Sequence, residues 1–189
     1  MKIAVVEPHA DDAFLSLGAH MEDWIKKGKE VTIITVYHDI KRGNEAEAYA
    51  RAIGAEWRGV GLPEHGGGLA EAFEVPTPGL GWVLREFSRV YAPLGLQHPE
   101  HRAVARALPG AYVYLEIPYA YKLKNRAEVD ELTSFPEYGL YSILTAHGRK
   151  ARHTGIFKSQ SKFFFYNDPK ELVRHPEIIL HGHYYQTEG

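Results

Sequence analysis

Short apolar runs alternate with amphipathic stretches over the first two thirds of the chain. Residues 2–6 (KIAVV) are a β-branched run closed by Glu7 and Pro8, the pattern of a buried strand. Over 13–27, Phe14, Leu17, Met21, Trp24 and Ile25 fall on one helical stripe, and Gly28 ends it as a C-cap. Residues 30–37 predict a second strand, the alanine-rich 45–53 a second helix stopped by Gly54, and 57–60 a short third strand. A helix over 82–87, a fourth strand over 89–92, a helix over 98–108 and a fifth strand over 111–117 follow. Beyond Pro118 the pattern loosens, with helices expected over 126–132 and 138–146 and strands over 162–166 and 178–185.

Alternation of strand and helix predicts an α/β fold, a mainly parallel sheet covered by helices on both faces. Residues 61–81 (GLPEHGGGLAEAFEVPTPGLG) are rich in Gly and Pro and read as a surface loop or a lid. With no repeat, low-complexity tract or linker, residues 1–189 are read as a single domain.

Composition narrows the function classes. A formal net charge of -2 lacks the basic excess of a nucleic-acid binder. No window approaches the roughly 20 apolar residues of a membrane span, and no signal-peptide pattern opens the chain, so a cytoplasmic location is expected. There are 11 histidines and no cysteine, so a metal would be held by nitrogen and oxygen ligands.

Two clusters fall where open parallel sheets bind ligands, after the carboxyl ends of strands. The first is Pro8-His9-Ala10-Asp11-Asp12, and the second is Gln97-His98-Pro99-Glu100-His101. Each half has an ordinary explanation, helix capping for the first and a solvated helix start for the second. Together, in a chain without cysteine, they predict a catalytic zinc site. His9, Asp12 and His101 supply two imidazoles and one carboxylate and leave a position for water. Asp11 is placed to act as general base. His98 is placed to stabilise charge or to protonate a leaving amine.

These residues carry a resemblance. PHADDAFLSLGAH resembles the first motif of the PIG-L/LmbE-like zinc-dependent N-deacetylases, roughly PHxDDxxLSxGG, and HPEH resembles their HPDH. Weaker echoes lie at Glu45-Ala46 through Ile53-Gly54, at Val60-Gly61-Leu62-Pro63, at Tyr114 to Ala120 (YLEIPYA) and at Ser159-Gln160. The resemblance implies a Rossmann-like three-layer αβα fold. It implies zinc, or another divalent transition metal, on His9, Asp12 and His101, with Asp11 as base and His98 as electrostatic partner or acid. The substrate implied is an N-acetylated sugar within a small molecule or glycoconjugate. The alternative is a catalytically weak or inactive sugar-binding protein of the same fold, and homo-oligomerisation is left open.

Two departures stand out. Ala19 occupies a position where the family often has glycine, and Leu96 one where some relatives carry a tyrosine that supports the oxyanion. Tyr119 or Tyr121 could take over that role. His38, Asp39 and Arg42 follow the second strand and are candidates for substrate hydroxyls, or for a solvated loop. Glu116, ending the fifth strand, is a candidate substrate contact or a merely paired carboxylate, and Tyr119 is a further substrate-binding candidate. His65 with Gly66, Gly67 and Gly68, the pair His181 and His183, and the aromatic run 163–166 are read mainly as loop, strand and core.

Overall fold

The structure, a computed structural model, describes residues 1–63, 80–122, 126–133, 139–144, 152–160 and 175–181. At its centre β1 (Lys2–Glu7) lies parallel between β2 (Glu30–Tyr37) and β4 (Arg89–Pro93). Beyond β2, β3 (Glu56–Leu62) forms one edge; beyond β4 comes β5 (Tyr112–Tyr114), also parallel. Two late strands, β6 (Gly139–Leu144) and β7 (Glu177–His181), extend the sheet antiparallel, giving the order β3-β2-β1-β4-β5-β7-β6.

The helices are α1 (Asp12–Lys26), α2 (Ile40–Ile53), α3 (Val83–Glu86), α4 (Pro99–Ala107) and α5 (Arg126–Thr133). Successive side chains of a strand point to opposite faces, and β1 follows this rule with apolar groups on both sides. Ile3 and Val5 pack with Phe14, Leu17 and Met21 of α1 and Tyr49 of α2. Ala4 and Val6 pack with Val83 of α3 and Val104 of α4 on the other face. The result is the three-layer, Rossmann-like αβα arrangement with a mainly parallel sheet.

Three local expectations change. Helix α2 begins at Ile40 rather than 45, because Asp39 caps it, accepting from the Arg42 amide at 2.7 Å. Residues 139–144, expected as helix, form β6, whose backbone pairs with β7. Tertiary pairing overrides local preference there. The fifth strand shortens to Tyr112–Tyr114, and Leu115 donates instead to the Ile178 carbonyl. The strand over 162–166, most of the Gly/Pro-rich loop, His65, His183 and the aromatic run 163–166 lie outside the described residues. Among the described residues, no helix is long and apolar enough to cross a membrane.

Candidate metal centre at the switch point of the sheet

From β1 the chain passes to β2 on one side, and from β4 to β5 on the other. Strands β1 and β4 therefore flank the switch point, where the helices that follow diverge and leave a crevice. Both sequence clusters sit there.

The turn after β1 is tied down from several sides. Tyr37 N donates to Pro8 O at 2.9 Å, and Asp12 N to His9 O at 3.2 Å. Glu7 takes the Ala13 amide at 2.8 Å and the Thr35 hydroxyl at 2.6 Å. Asp11 stands at the N-cap of α1 but makes no side-chain cap bond. Asp12 takes the His9 amide at 2.8 Å. The capping explanation of these two aspartates therefore gives way: Glu7 serves the helix start, and the aspartates face the crevice.

After β4 the chain turns through Gly95 at φ 93° and Gln97 at φ 57°, the left-handed region that side chains rarely adopt. This tight turn delivers His98 to the start of α4, where Pro99 fits the first helical turn and His101 follows one turn on.

Three donor atoms converge. His9 Nδ1 lies 3.3 Å from Asp12 Oδ2, His101 Nε2 lies 3.3 Å from the same oxygen, and the two nitrogens are 3.2 Å apart. Donors about 2.0–2.1 Å from a tetrahedral ion are separated by about 3.3–3.4 Å, so one such ion fits this set. The far nitrogens are also engaged. His9 Nε2 lies 2.7 Å from Glu100 Oε2, and His101 Nδ1 lies 3.2 Å from Glu116 Oε1. Carboxylates behind histidine ligands fix ring orientation and raise ligand basicity. A second grouping, His9, His98 and Glu100, also brings donors together. There His9 Nε2 and Glu100 Oε2 are only 2.7 Å apart, closer than two donors of one tetrahedral ion, so the geometry favours the first set.

The electrostatics match a cation site. Burial alone would lower the His9 pKa, but hydrogen bonds to Asp12 and Glu100 raise it to about 10. Burial works to raise Asp12, yet the neighbouring His101 and His9 hold it well below the usual carboxylate range. In the metal-free chain these groups hold a proton where an ion would sit, and ion binding would release it.

Around this set, Asp11 is buried and accepts from the Arg42 guanidinium at 2.8 Å. Burial raises its pKa and the Arg42 charge opposes that rise. His98 lies edge-on to His9, ring centroids 5.0 Å apart, with Nδ1 3.2 Å from Glu100 Oε2. Burial, then the charges of His9 and His101, lower its pKa. The ring of Tyr119 meets His101 edge-on at 5.3 Å. Leu96 is fully buried among Leu94, Val113 and Leu115.

Arg42, a candidate for substrate hydroxyls or for a solvated loop, donates from its guanidinium to Asp11. Glu116, expected as a substrate contact, is fully buried and points behind His101, so it presents no carboxylate to the crevice. His38 stacks its edge on Trp57 at 5.4 Å, and Ser159 bonds Glu45 on α2 through both its hydroxyl and its amide. Sequence reasoning passed over Glu7, Tyr37 and Glu100. Glu100 stands between the two histidines of HPEH, and Glu7 is an acid ending an otherwise apolar strand, so both had a signal. Tyr37 had none: its buried hydroxyl, beside His9, follows from β2 ending next to the first cluster.

Fold and donor set together define an α/β protein with a candidate metal centre at its switch point. No protein-family model matches the sequence, and none of the curated proteins matches it. Solved structures do resemble it. A deacetylase of the teicoplanin biosynthesis pathway is 16% identical, with a TM-score of 0.73 over 95% of this chain and 97% of its own. The N,N'-diacetylchitobiose deacetylase of Pyrococcus horikoshii is 18% identical, with a TM-score of 0.54 over 99% of this chain and 86% of its own. The 4-carboxy-2-hydroxymuconate hydratase GalB of Pseudomonas putida is 14% identical, with a TM-score of 0.62 over 95% and 94%. The likeness establishes the fold, which deacetylases and a hydratase share.

Proposed function

We propose that the chain is a metal-dependent N-deacetylase that removes an acetyl group from an amino-sugar-containing small molecule or glycoconjugate. The observation that carries this reading is the triangle of His9 Nδ1, Asp12 Oδ2 and His101 Nε2, with sides of 3.2 to 3.3 Å, beside the carboxylate of Asp11. Because a hydratase shares the fold, the fold alone does not choose the reaction. The donor set and the PHADD and HPEH motifs favour amide hydrolysis.

Two imidazoles and one carboxylate with an open position suit zinc first, and other divalent transition metals accept the same donors. A bound ion would supply Lewis acidity and make water nucleophilic near neutral pH. The protein's own groups do the rest. Asp11, held by Arg42, accepts the proton of the attacking water. His98 faces the same crevice and stabilises the developing oxyanion or delivers a proton to the departing amine. Arg42 holds Asp11 in place, Tyr119 stands beside His101 where its phenol supports the oxyanion, and Glu100 and Glu116 hold the ligand rings.

A second reading has one observation in its favour. Leu96, where some relatives carry tyrosine, is sealed in an apolar cluster and offers the oxyanion no donor. A protein that keeps the ion and binds N-acetyl sugars with little turnover would have this feature.

The test begins with metal content per chain, for wild type and His101→Ala purified without chelator, followed by acetate release from a panel of N-acetylated amino sugars. About one zinc per chain, lost in the variant, with acetate released by wild type, is the expected result. Zinc uptake and sugar binding without acetate would favour the second reading. A wild type that takes up no metal would remove the basis of both.

A further inference from the structure

Glu116 leaves β5 into the interior, behind the metal ligands, and its main chain is fixed on both sides. Its carbonyl accepts from Ala120 N at 2.9 Å, and the next amide, Ile117 N, donates to Ser16 Oγ at 3.1 Å. Four donors converge on its carboxylate. Gly95 N at 2.8 Å, Leu96 N at 2.9 Å and His101 Nδ1 at 3.2 Å meet Oε1, and Leu94 N at 3.2 Å meets Oε2.

Successive backbone N–H groups converging in this way form an anion-binding concavity, which loops commonly offer to ligands. Here the protein fills it with its own side chain. The concavity exists because Gly95 takes φ 93°, and a Cβ at that position would also meet Ala105 Cβ at 3.2 Å and Arg102 Cα at 3.3 Å on α4. Glu116 thus holds two things at once: the turn that carries His98 and the ring of His101.

We propose that Glu116 is a positioning residue that couples ion binding at His101 to the shape of the Leu94–His98 turn. The inference rests on the reading above in taking His9, Asp12 and His101 as the ion site. An imidazole that gives Nε2 to a cation becomes a stronger donor at Nδ1, so its bond to Glu116 tightens. A tighter bond to His101 fixes the position and orientation of the carboxylate to which the three amides also donate. The three amides that complete the carboxylate's shell are therefore more firmly held with the ion bound, and His98 is presented in one place when the site is loaded.

Hydrogen exchange at the Leu94, Gly95 and Leu96 amides, with and without zinc, tests this in wild type, Glu116→Gln and Glu116→Asp. Zinc affinity is measured in parallel by competition with a chromophoric chelator, and neither readout depends on activity. Zinc should slow exchange at the three amides of wild type. Glu116→Gln should weaken zinc by about 10- to 100-fold and abolish the zinc dependence of exchange there, while β1 and β2 amides stay protected. Glu116→Asp keeps the charge but draws it back, so it should fall between, and it carries both readouts should the glutamine variant fail to fold. Zinc affinity unchanged in both variants, or zinc-dependent protection in both as large as in wild type, overturns the inference alone. A wild type that takes up no zinc overturns the ion site and the inference together.

Discussion

Arg42 reaches from α2 to place a guanidinium nitrogen 2.8 Å from Asp11 Oδ1, with both side chains largely buried. The pair sets the state of the proposed base. Burial raises the Asp11 pKa, and the fixed Arg42 cation opposes that rise, favouring the carboxylate that proton abstraction needs. Asp11→Asn keeps the size and loses the basic carboxylate. Turnover should fall by about 100- to 10,000-fold, the usual contribution of a positioned acid or base, with metal content unchanged. Acetate release and elemental analysis on the same sample check both halves. Undiminished turnover would mean that the base lies elsewhere.

The same pair carries a stability prediction. Removing one partner of a buried ion pair leaves the other uncompensated, at a cost of about 3 kcal/mol. Arg42→Met should lose roughly that much, and adding Asp11→Asn should restore part of it. Denaturant unfolding of the two single variants and the double variant measures the coupling. Additive losses would mean that the two side chains do not sense each other.

Glu7 gives a prediction in pH. Burial raises its pKa from 4.5 to about 8, against the opposing hydrogen bonds from Thr35 and the Ala13 amide. A carboxyl with a raised folded pKa holds its proton in the native chain after the unfolded chain has released it. Its contribution is therefore fully present below pH 4.5 and is lost as pH rises to about 8. In the metal-free chain, unfolding free energy should fall over this window for wild type. It should fall less for Glu7→Gln, which has no proton to lose. Parallel profiles would remove Glu7 from this role.

What the sequence made legible follows from the range of the forces involved. The strands β1 and β2 and the helix α1 were readable because each buries a continuous apolar pattern of its own period. The candidate site was readable because its candidate ligands lie within two short motifs at strand ends, and strand order alone brings those ends together. Strand β6 was misread as helix because its partner β7 lies more than thirty residues on, and pairing rather than local preference decides it. Glu116 and Arg42 were found as candidates, but the partners they have in the fold were not legible. Glu116 answers to amides on another loop and to His101, and Arg42 to Asp11 across the crevice; such contacts leave no periodic trace in the chain.

Tyr119 is the candidate to test for the oxyanion-supporting role that Leu96 cannot fill. Of the two sequence candidates, Tyr121 is committed elsewhere: its hydroxyl donates to the Pro176 carbonyl at 2.6 Å and its ring stacks on His175 at 4.2 Å. Tyr119 sits edge-on to His101, 5.3 Å between centroids. Burial, then the charges of Asp12 and Asp11, raise its pKa, so it stays a phenol and keeps its proton to donate. A donor aimed at charge that develops only in the transition state contributes to turnover and not to substrate affinity. Tyr119→Phe should therefore lower kcat by roughly 100-fold while KM and metal content stay near wild type. A raised KM with kcat unchanged would assign the hydroxyl to uniform substrate binding instead, and no change in either would leave the oxyanion to His98 and the metal.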